Sequence, residues 1–420
     1  MRQSQLFTKT QKDFPADETS AGTQFLLRAG FIDRTAAGVY TILPLGYNVL
    51  RKIENIIAKA MDRLGGQRVT MPALVPKKYW ETTGRWNAFD ALYKLKGKND
   101  DEYALGATLE EIVTPLAQKY AVSYKDFPFS IYQIQTKFRD EMRAKSGLLR
   151  GREFLMKDLY SFHVDQKDCD ALYEKVKDSY FSIFKETGLA ASTYLTLAGG
   201  GTFSKFSHEF QTATEAGEDI IYLCDNCGFS INREIKKEYP KCPECGCEKF
   251  GEKKAIEVGN IFKLGTKYSA AFGFEAVGPD GCKMPVLMNC YGIGLTRLMG
   301  TVAEISRDSA GLIWPAAIAP FEAHLVELES KDGEVNKKIR EAAQKIYSDL
   351  QKRDIGVLYD DRTGKSVGEK FKDADLLGMP FRVVVSEKSL AKDSVEIKKR
   401  DSREAELVGL DKACAFNFKD

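Results

Sequence analysis

The sequence predicts a mixed α+β protein: two domains, the first interrupted by a small cysteine-rich insert. Three observations carry that expectation. Two strand-like segments, 130–137 and 153–163, flank a basic loop holding two glycines and read as an antiparallel pair. Apolar residues recur at helical spacing over 46–64. Beyond residue 315, strand-like and helical segments alternate, which marks an α/β unit of about 100 residues.

Taken in order, Leu50, Ile53, Ile57, Met61 and Leu64 form the apolar stripe of the first long helix. Gly65-Gly66 stops it, and 67–71 reads as a short strand ending at Pro72. The first domain is expected over 1–220 and 255–314, with the insert at 221–254. Pro315 and Pro320 bracket an expected linker. The second domain, 315–420, is expected to run strand (323–328), helix (335–353), strand (356–359), helix (367–377), strand (381–386).

Composition narrows the function classes. The 420 residues carry a net charge of +2, so no global charge flags a nucleic-acid or membrane partner. No run of 18 apolar residues occurs, which excludes an evident membrane helix. The first residues, Met1-Arg2-Gln3-Ser4-Gln5, lack a signal-peptide apolar core, so the expected location is cytoplasmic. In a reducing compartment nine cysteines point to metal or catalysis before disulfides.

Four of those cysteines stand as Cys224-x2-Cys227-x14-Cys242-x2-Cys245. Paired knuckles of this kind place four thiolates around a tetrahedral Zn²⁺. The middle spacing is one short of the usual range, and Cys247 is a spare thiol. A structural zinc ribbon is the expectation, with free thiols as the alternative.

Two further clusters bear on phosphate chemistry. In 137–157, Lys137, Arg139, Arg143, Lys145, Arg150, Arg152 and Lys157 sit among three acids, with Phe154 beside them. Arginine forks bind phosphate oxygens bidentately, and a hairpin would present them on one platform. A solvated hairpin with surface ion pairs is the competing reading. The second cluster is Asn289-Cys290-Tyr291-Gly292-Ile293-Gly294-Leu295-Thr296-Arg297. Its glycines permit close backbone approach, but the dinucleotide-binding spacing is absent. Likewise Gly364-Lys365-Ser366 is no P-loop, because Tyr359 stands where the motif needs glycine.

Together these clusters resemble motifs 2 and 3 of class II aminoacyl-tRNA synthetases, and residues 46–72, from Gly46 to Pro72, resemble motif 1. Within that class the chain resembles the bacterial-type prolyl-tRNA synthetases. Tyr132-Gln133-Ile134-Gln135-Thr136-Lys137-Phe138-Arg139-Asp140-Glu141, Ser207-His208-Glu209-Phe210-Gln211 and Ile261-Phe262-Lys263-Leu264-Gly265-Thr266-Lys267-Tyr268-Ser269 carry that likeness. It implies a class II antiparallel-sheet catalytic domain with flanking helices and a C-terminal α/β anticodon-binding domain. It implies ATP and Mg²⁺, L-proline and proline tRNA, and a homodimer formed through motif 1.

The resemblance also implies roles. Arg139 would hold the ATP α-phosphate and the proline carboxylate, and Glu141 the adenine side. Arg150, Gly294 and Arg297 would meet the triphosphate, with Phe154 stacked on adenine. Thr108 and Glu110 would receive the secondary ammonium of proline, and Met156 and His208 would wall its ring. Arg139, Glu141 and Arg297 are thus the expected catalytic residues. Without the resemblance, Thr108 and Glu110 read as an ordinary helix start. Ala107, Leu109 and Asn260 depart from the family's usual Pro, His and His.

Many bacterial relatives carry a domain-sized editing insertion between motifs 2 and 3. Here that slot holds the 34 residues of 221–254, too few for such a domain. An enzyme without cis editing of alanyl-tRNA is expected. In the second domain, 20 Lys+Arg and 21 Asp+Glu over 316–420 leave Lys398-Lys399-Arg400 as the basic candidate for RNA phosphate. Three competing identities remain: a synthetase for another amino acid, a non-catalytic paralogue, and a zinc-ribbon nucleic-acid binder. Retention of Arg139, Arg150 and Arg297 argues against the second.

Overall fold

Two helices lead the chain. Helix α1 (Ala21–Arg28) is capped by Ser20, whose side chain accepts from the Thr23 N–H. Pro44 opens helix α2 (Pro44–Arg63), a position where its missing N–H costs nothing. Leu50, Ile53, Ile57 and Met61 of α2 are buried, as their spacing requires. The computed structural model describes residues 1–142, 144 and 146–418. Arg143 and Lys145 of the predicted basic loop lie outside the described residues. The chain divides into two units, one of 36–39 with 54–301 and one of 1–35, 40–53 and 302–420.

The 54–301 unit is built on one large sheet. Its strands are β1 (Gly66–Arg68), β2 (Phe129–Phe138), β3 (Glu153–His163), β4 (Thr193–Gly199), β5 (Phe206–Ala213), β6 (Asp219–Cys224), β7 (Ser230–Asn232), β8 (Phe250–Gly265) and β9 (Leu287–Gly294). They lie in the order β5-β4-β7-β6-β8-β9-β3-β2-β1, and β5 pairs with β8 as well as β4, so that end curls back on itself. The predicted hairpin is present as β2 and β3, antiparallel, with Lys137 opposite Phe154. β9 pairs antiparallel with β3 and β8 antiparallel with β9. The expected strand at 67–71 forms a ladder only over β1, parallel to β2. Beyond it the Met71 N–H bonds the Gln133 side chain, which takes that backbone out of the ladder.

The register sorts side chains by face. Phe154, Met156 and Asp158 on β3 share a face with Cys290, Gly292 and Gly294 on β9 and with Asn260 and Phe262 on β8. Helix α3 (Glu110–Tyr120) begins just after Thr108. Helix α4 (Gln166–Glu186) covers the other face, where Tyr173 and Tyr180 meet His208, Tyr291, Phe210 and Lys157. Helix α5 (Leu295–Ile305) continues directly from β9.

The other unit contains a five-stranded mixed sheet: β10 (Ala323–Glu327), β11 (Val357–Asp360), β12 (Phe381–Val385), β13 (Ser394–Lys399) and β14 (Glu406–Gly409). The order is β11-β10-β12-β13-β14, with the first two pairings parallel and the last two antiparallel. Helices α6 (Gly333–Lys352) and α7 (Val367–Leu377) supply the crossovers. Ile339, Ala343, Ile346 and Leu350 of α6 pack on Leu325, Val357 and Val383.

The compact unit that holds this sheet runs from 302 and takes in N-terminal segments. A Cβ on Gly22 would lie 2.6 Å from the Glu304 backbone nitrogen, so α1 rests directly on that turn. Lys52 pairs with Glu322 at 2.6 Å. Sequence texture cannot reveal contacts between segments 280 residues apart. The expected linker is packed: Ile318 and Ala319 are buried, and the Trp314 N–H bonds the Gly378 carbonyl. Arg400, a candidate for RNA phosphate, is committed to Asp308 by two bonds of 2.7 and 2.8 Å.

Candidate active site

The shared face of β3, β8 and β9 floors a cleft with a cavity volume of about 120 Å³. Six predicted residues line it: Thr108, Arg139, Phe154, Met156, Gly294 and Arg297. Asp158, Phe203, Glu257, Asn260 and Cys290 line it too. Glu257 had a signal in sequence, as a lone acid within the apolar run 255–258. Phe203 had none.

Arg139 sits just past the end of β2, its guanidinium 5.3 Å from the Phe154 ring centre. Its Nε reaches the Ala107 carbonyl at 3.4 Å, and no carboxylate contacts it among the described residues. Burial, and then the nearby Arg297, push its pKa below the ordinary arginine value. Arg297 Nη1 donates to the Glu257 carbonyl at 2.9 Å and to its carboxylate at 3.0 Å. The cleft therefore gathers two guanidinium groups, one of them without a counter-ion in contact.

The end of the cleft marked by Thr108 is acidic and enclosed. Thr108 Oγ1 donates to Glu110 Oε2 at 2.5 Å, and Glu110 is fully buried behind it. Asp158 is held by Lys137 at 2.9 Å, Gln133 at 3.0 Å and the Tyr160 hydroxyl at 2.8 Å. The Tyr160 oxygen in turn accepts from the Leu109 N–H, which ties the start of α3 to the sheet. Burial and these carboxylates hold the Cys290 thiol well above its usual pKa.

Three predicted residues are placed elsewhere. Glu141 and Arg150 clasp each other, with Arg150 Nε and Nη2 both on Glu141 Oε2 at 2.9 and 2.8 Å, and they do not line the cleft. His208 stands opposite Ile261 in the β5–β8 ladder, so it shares the face covered by α4. Its Nδ1 lies 2.7 Å from the Tyr173 hydroxyl. The residue that faces the cleft side from β5 is its neighbour Glu209, opposite Asn260. Burial and then Glu257 push the Glu209 carboxyl up to about 8.

The four knuckle cysteines converge at the far end of β6. Their sulfur atoms all lie within 4.8 Å of one another, with Cys224–Cys245 and Cys227–Cys242 at 3.5 Å. Four thiolates on Zn²⁺ at about 2.3 Å would stand about 3.8 Å apart, so the set fits that ion. Both knuckles fold alike: the Gly228 N–H bonds the Cys224 carbonyl at 2.9 Å and the Gly246 N–H the Cys242 carbonyl at 2.8 Å. Each glycine has φ near +74°, a conformation most side chains resist. Cys247 bonds the Lys249 backbone and stays outside the set.

Residues 93–306 match the class II tRNA synthetase core domain family (G, H, P, S and T), and residues 316–416 match the anticodon binding domain family. Over 98% of the chain, it is 32% identical to a proline–tRNA ligase of Dehalococcoides mccartyi, covering 97% of that protein. It is 36% identical to one of Rhizorhabdus wittichii over 99% of both chains. The chain belongs to the proline–tRNA ligase family.

Two members of this family differ from it in length. The D. mccartyi alignment runs over 560 positions, so about 150 of them face no residue here. The R. wittichii alignment needs only 443. Prolyl-tRNA synthetase structures share the fold. That of Giardia lamblia in complex with prolyl-adenylate has a TM-score of 0.79 at 18% identity, over 95% of this chain and 77% of that one. That of Cryptosporidium parvum complexed with L-proline and AMP has 0.74 at 19%, over 94% and 73%. Among the described residues no helix is long and apolar enough to cross a membrane.

Proposed function

We propose that this chain is a proline–tRNA ligase that activates L-proline with ATP and passes it to proline tRNA. The observation that carries this reading is the cleft itself: two arginines in its lining and a buried carboxylate behind Thr108. A carboxylate nucleophile and a triphosphate must approach each other, and Arg139 and Arg297 offset their repulsion. A proline carboxylate oxygen attacks the α-phosphorus, the bond to the bridging oxygen breaks, and pyrophosphate leaves. The tRNA ribose hydroxyl then attacks the prolyl carbonyl and AMP leaves. The first step needs no general base, because the carboxylate is already ionised.

Within this reading Arg139 holds the α-phosphate and the substrate carboxylate, Phe154 stacks on the base, and Arg297 and the Gly294 backbone meet the phosphates. Thr108 and Glu110 receive the ammonium, and Met156 bounds the ring. Glu141 and Arg150 join only once their mutual clasp opens toward adenine and the terminal phosphate. Glu257 lines the cleft and Glu209 lies against it, a donor pair suited to Mg²⁺. That ion, when bound, neutralises phosphate charge. Cys224, Cys227, Cys242 and Cys245 hold a structural Zn²⁺. The location is cytoplasmic, and residues 46–72 form the contact of a homodimer.

The reading also omits cis editing. A proline pocket gains only about 1–3 kcal/mol over alanine from lost apolar contact. With 34 residues at 221–254 there is no room for a hydrolytic domain. Charging of proline tRNA with proline and with alanine, followed by deacylation of the alanyl product, tests both parts. Proline charging with persistent alanyl-tRNA is expected. No proline charging defeats the first part, and rapid alanyl-tRNA hydrolysis by the pure protein defeats the second.

A further inference from the structure

Behind the cleft, Glu110 belongs to a charge cluster with Arg85 and Glu111, two residues the chemistry above leaves unused. Arg85, in the short helix Arg85–Ala88, is 3% exposed, and Glu110 and Glu111 are 0% exposed. Arg85 Nη1 donates to Glu111 Oε1 at 2.9 Å and reaches Glu110 Oε2 only at 3.4 Å. Thr83 Oγ1 adds a second bond to Glu111 Oε1 at 2.9 Å. Glu110 Oε1 receives no N–H or O–H bond among the described residues.

Four rings fix the guanidinium. Its carbon lies 4.7 Å from the ring centre of Phe203, 4.8 Å from Phe89, and 5.6 Å from Trp80 and Tyr268. Such a cage favours a cation and restricts its motion. Arg85 Nε and Nη2 have no polar partner among the described residues, so one nitrogen serves both carboxylates. The two buried carboxylates thus share the single Arg85 nitrogen that contacts them. Burial and then Glu110 push the Glu111 carboxyl up to about 7 even with Arg85 beside it. Phe203 and Thr108 belong both to this cluster and to the cleft wall.

We propose that Glu111 and Arg85 are a positioning pair for amino-acid recognition: Glu111 holds the caged guanidinium away from Glu110, so the Glu110 carboxylate stays available for the substrate's secondary ammonium. The proposal rests on the reading that Glu110 receives that ammonium. Neither Arg85 nor Glu111 lines the cleft, and both act through Glu110.

The test compares KM for proline, KM for ATP and kcat in ATP–pyrophosphate exchange for four proteins. Glu110→Gln raises the proline KM by about a hundredfold or more. Glu111→Gln frees Arg85 to neutralise Glu110 and raises the proline KM about tenfold, with ATP KM and kcat within about twofold. Arg85→Gln/Glu111→Gln removes the cation and its decoy together and brings the proline KM back to within about threefold of wild type. A merely structural pair gives a double variant no better than the single one, and that result overturns the proposal. If the double variant fails to fold, Glu111→Gln decides alone: an unchanged proline KM, or an equal rise in both KM values, overturns it. If Glu110→Gln leaves the proline KM unchanged, the site reading falls instead.

Discussion

Arg139→Ala separates function from stability in a way the geometry makes specific. Arg139 makes one weak bond, to the Ala107 carbonyl at 3.4 Å, and no carboxylate contacts it among the described residues. Burial and Arg297 both disfavour its charge in the free protein. Such a group is held for a ligand at the expense of the fold. In the reaction it would make two charge-assisted bonds, each worth roughly 1.5–3 kcal/mol. Losing about 3–6 kcal/mol of transition-state stabilisation lowers kcat/KM by about 10²–10⁴. The folded state loses almost nothing, so the melting temperature stays within about 2 °C of wild type or rises. The assay is proline-dependent ATP–pyrophosphate exchange on protein whose melting is recorded in parallel. Exchange within about threefold of wild type would refute the role, and a fall in melting temperature beyond about 5 °C would show Arg139 to be structural.

Other expectations follow from the same reasoning. Elemental analysis of protein purified without chelator finds one zinc per chain, and Cys242→Ser removes it and lowers the melting temperature; protein free of zinc contradicts the ribbon. His324 is fully buried, with Nε2 2.8 Å from Gln3 Oε1, among Asp360, Arg362, Arg382 and Lys370. Burial lowers its pKa from 6.5 to about 4, so the fold favours neutral imidazole. Its contribution is complete above about pH 6.5 and is lost as pH falls toward 4, by about 3 kcal/mol. His324→Gln flattens that part of the pH–stability curve, and a curve unchanged in shape counts against the assignment. Ser366 and Glu369 form a reciprocal cap on α7, and Ser366→Ala costs about 1 kcal/mol in denaturant unfolding; no change in midpoint shows the cap to be idle.

Much of the framework was legible because it rests on local pattern. Alternation set the β2–β3 hairpin, and the strand Glu153–His163 and the helix Val367–Leu377 fall where the pattern puts them. The arginines of motifs 2 and 3 were legible as cations, but their partners were not. Arg139 reaches the cleft uncompensated, whereas Arg150 is spent on Glu141. His208 shows the limit of a motif. Successive strand residues face opposite ways, so His208, the motif residue expected to wall the ring, points at Tyr173 while Glu209 of the same motif turns to the cleft side. Arg85 lies 25 residues before Glu110, on a helix too short for periodicity to mark. Only the tertiary fold shows that four rings surround it.

The most direct test is ATP–pyrophosphate exchange by the purified protein, run with each amino acid in turn. Strong exchange with proline, weaker exchange with alanine, and little with the others are expected. Absence of proline-dependent exchange, or a stronger response to any other amino acid, would contradict that expectation.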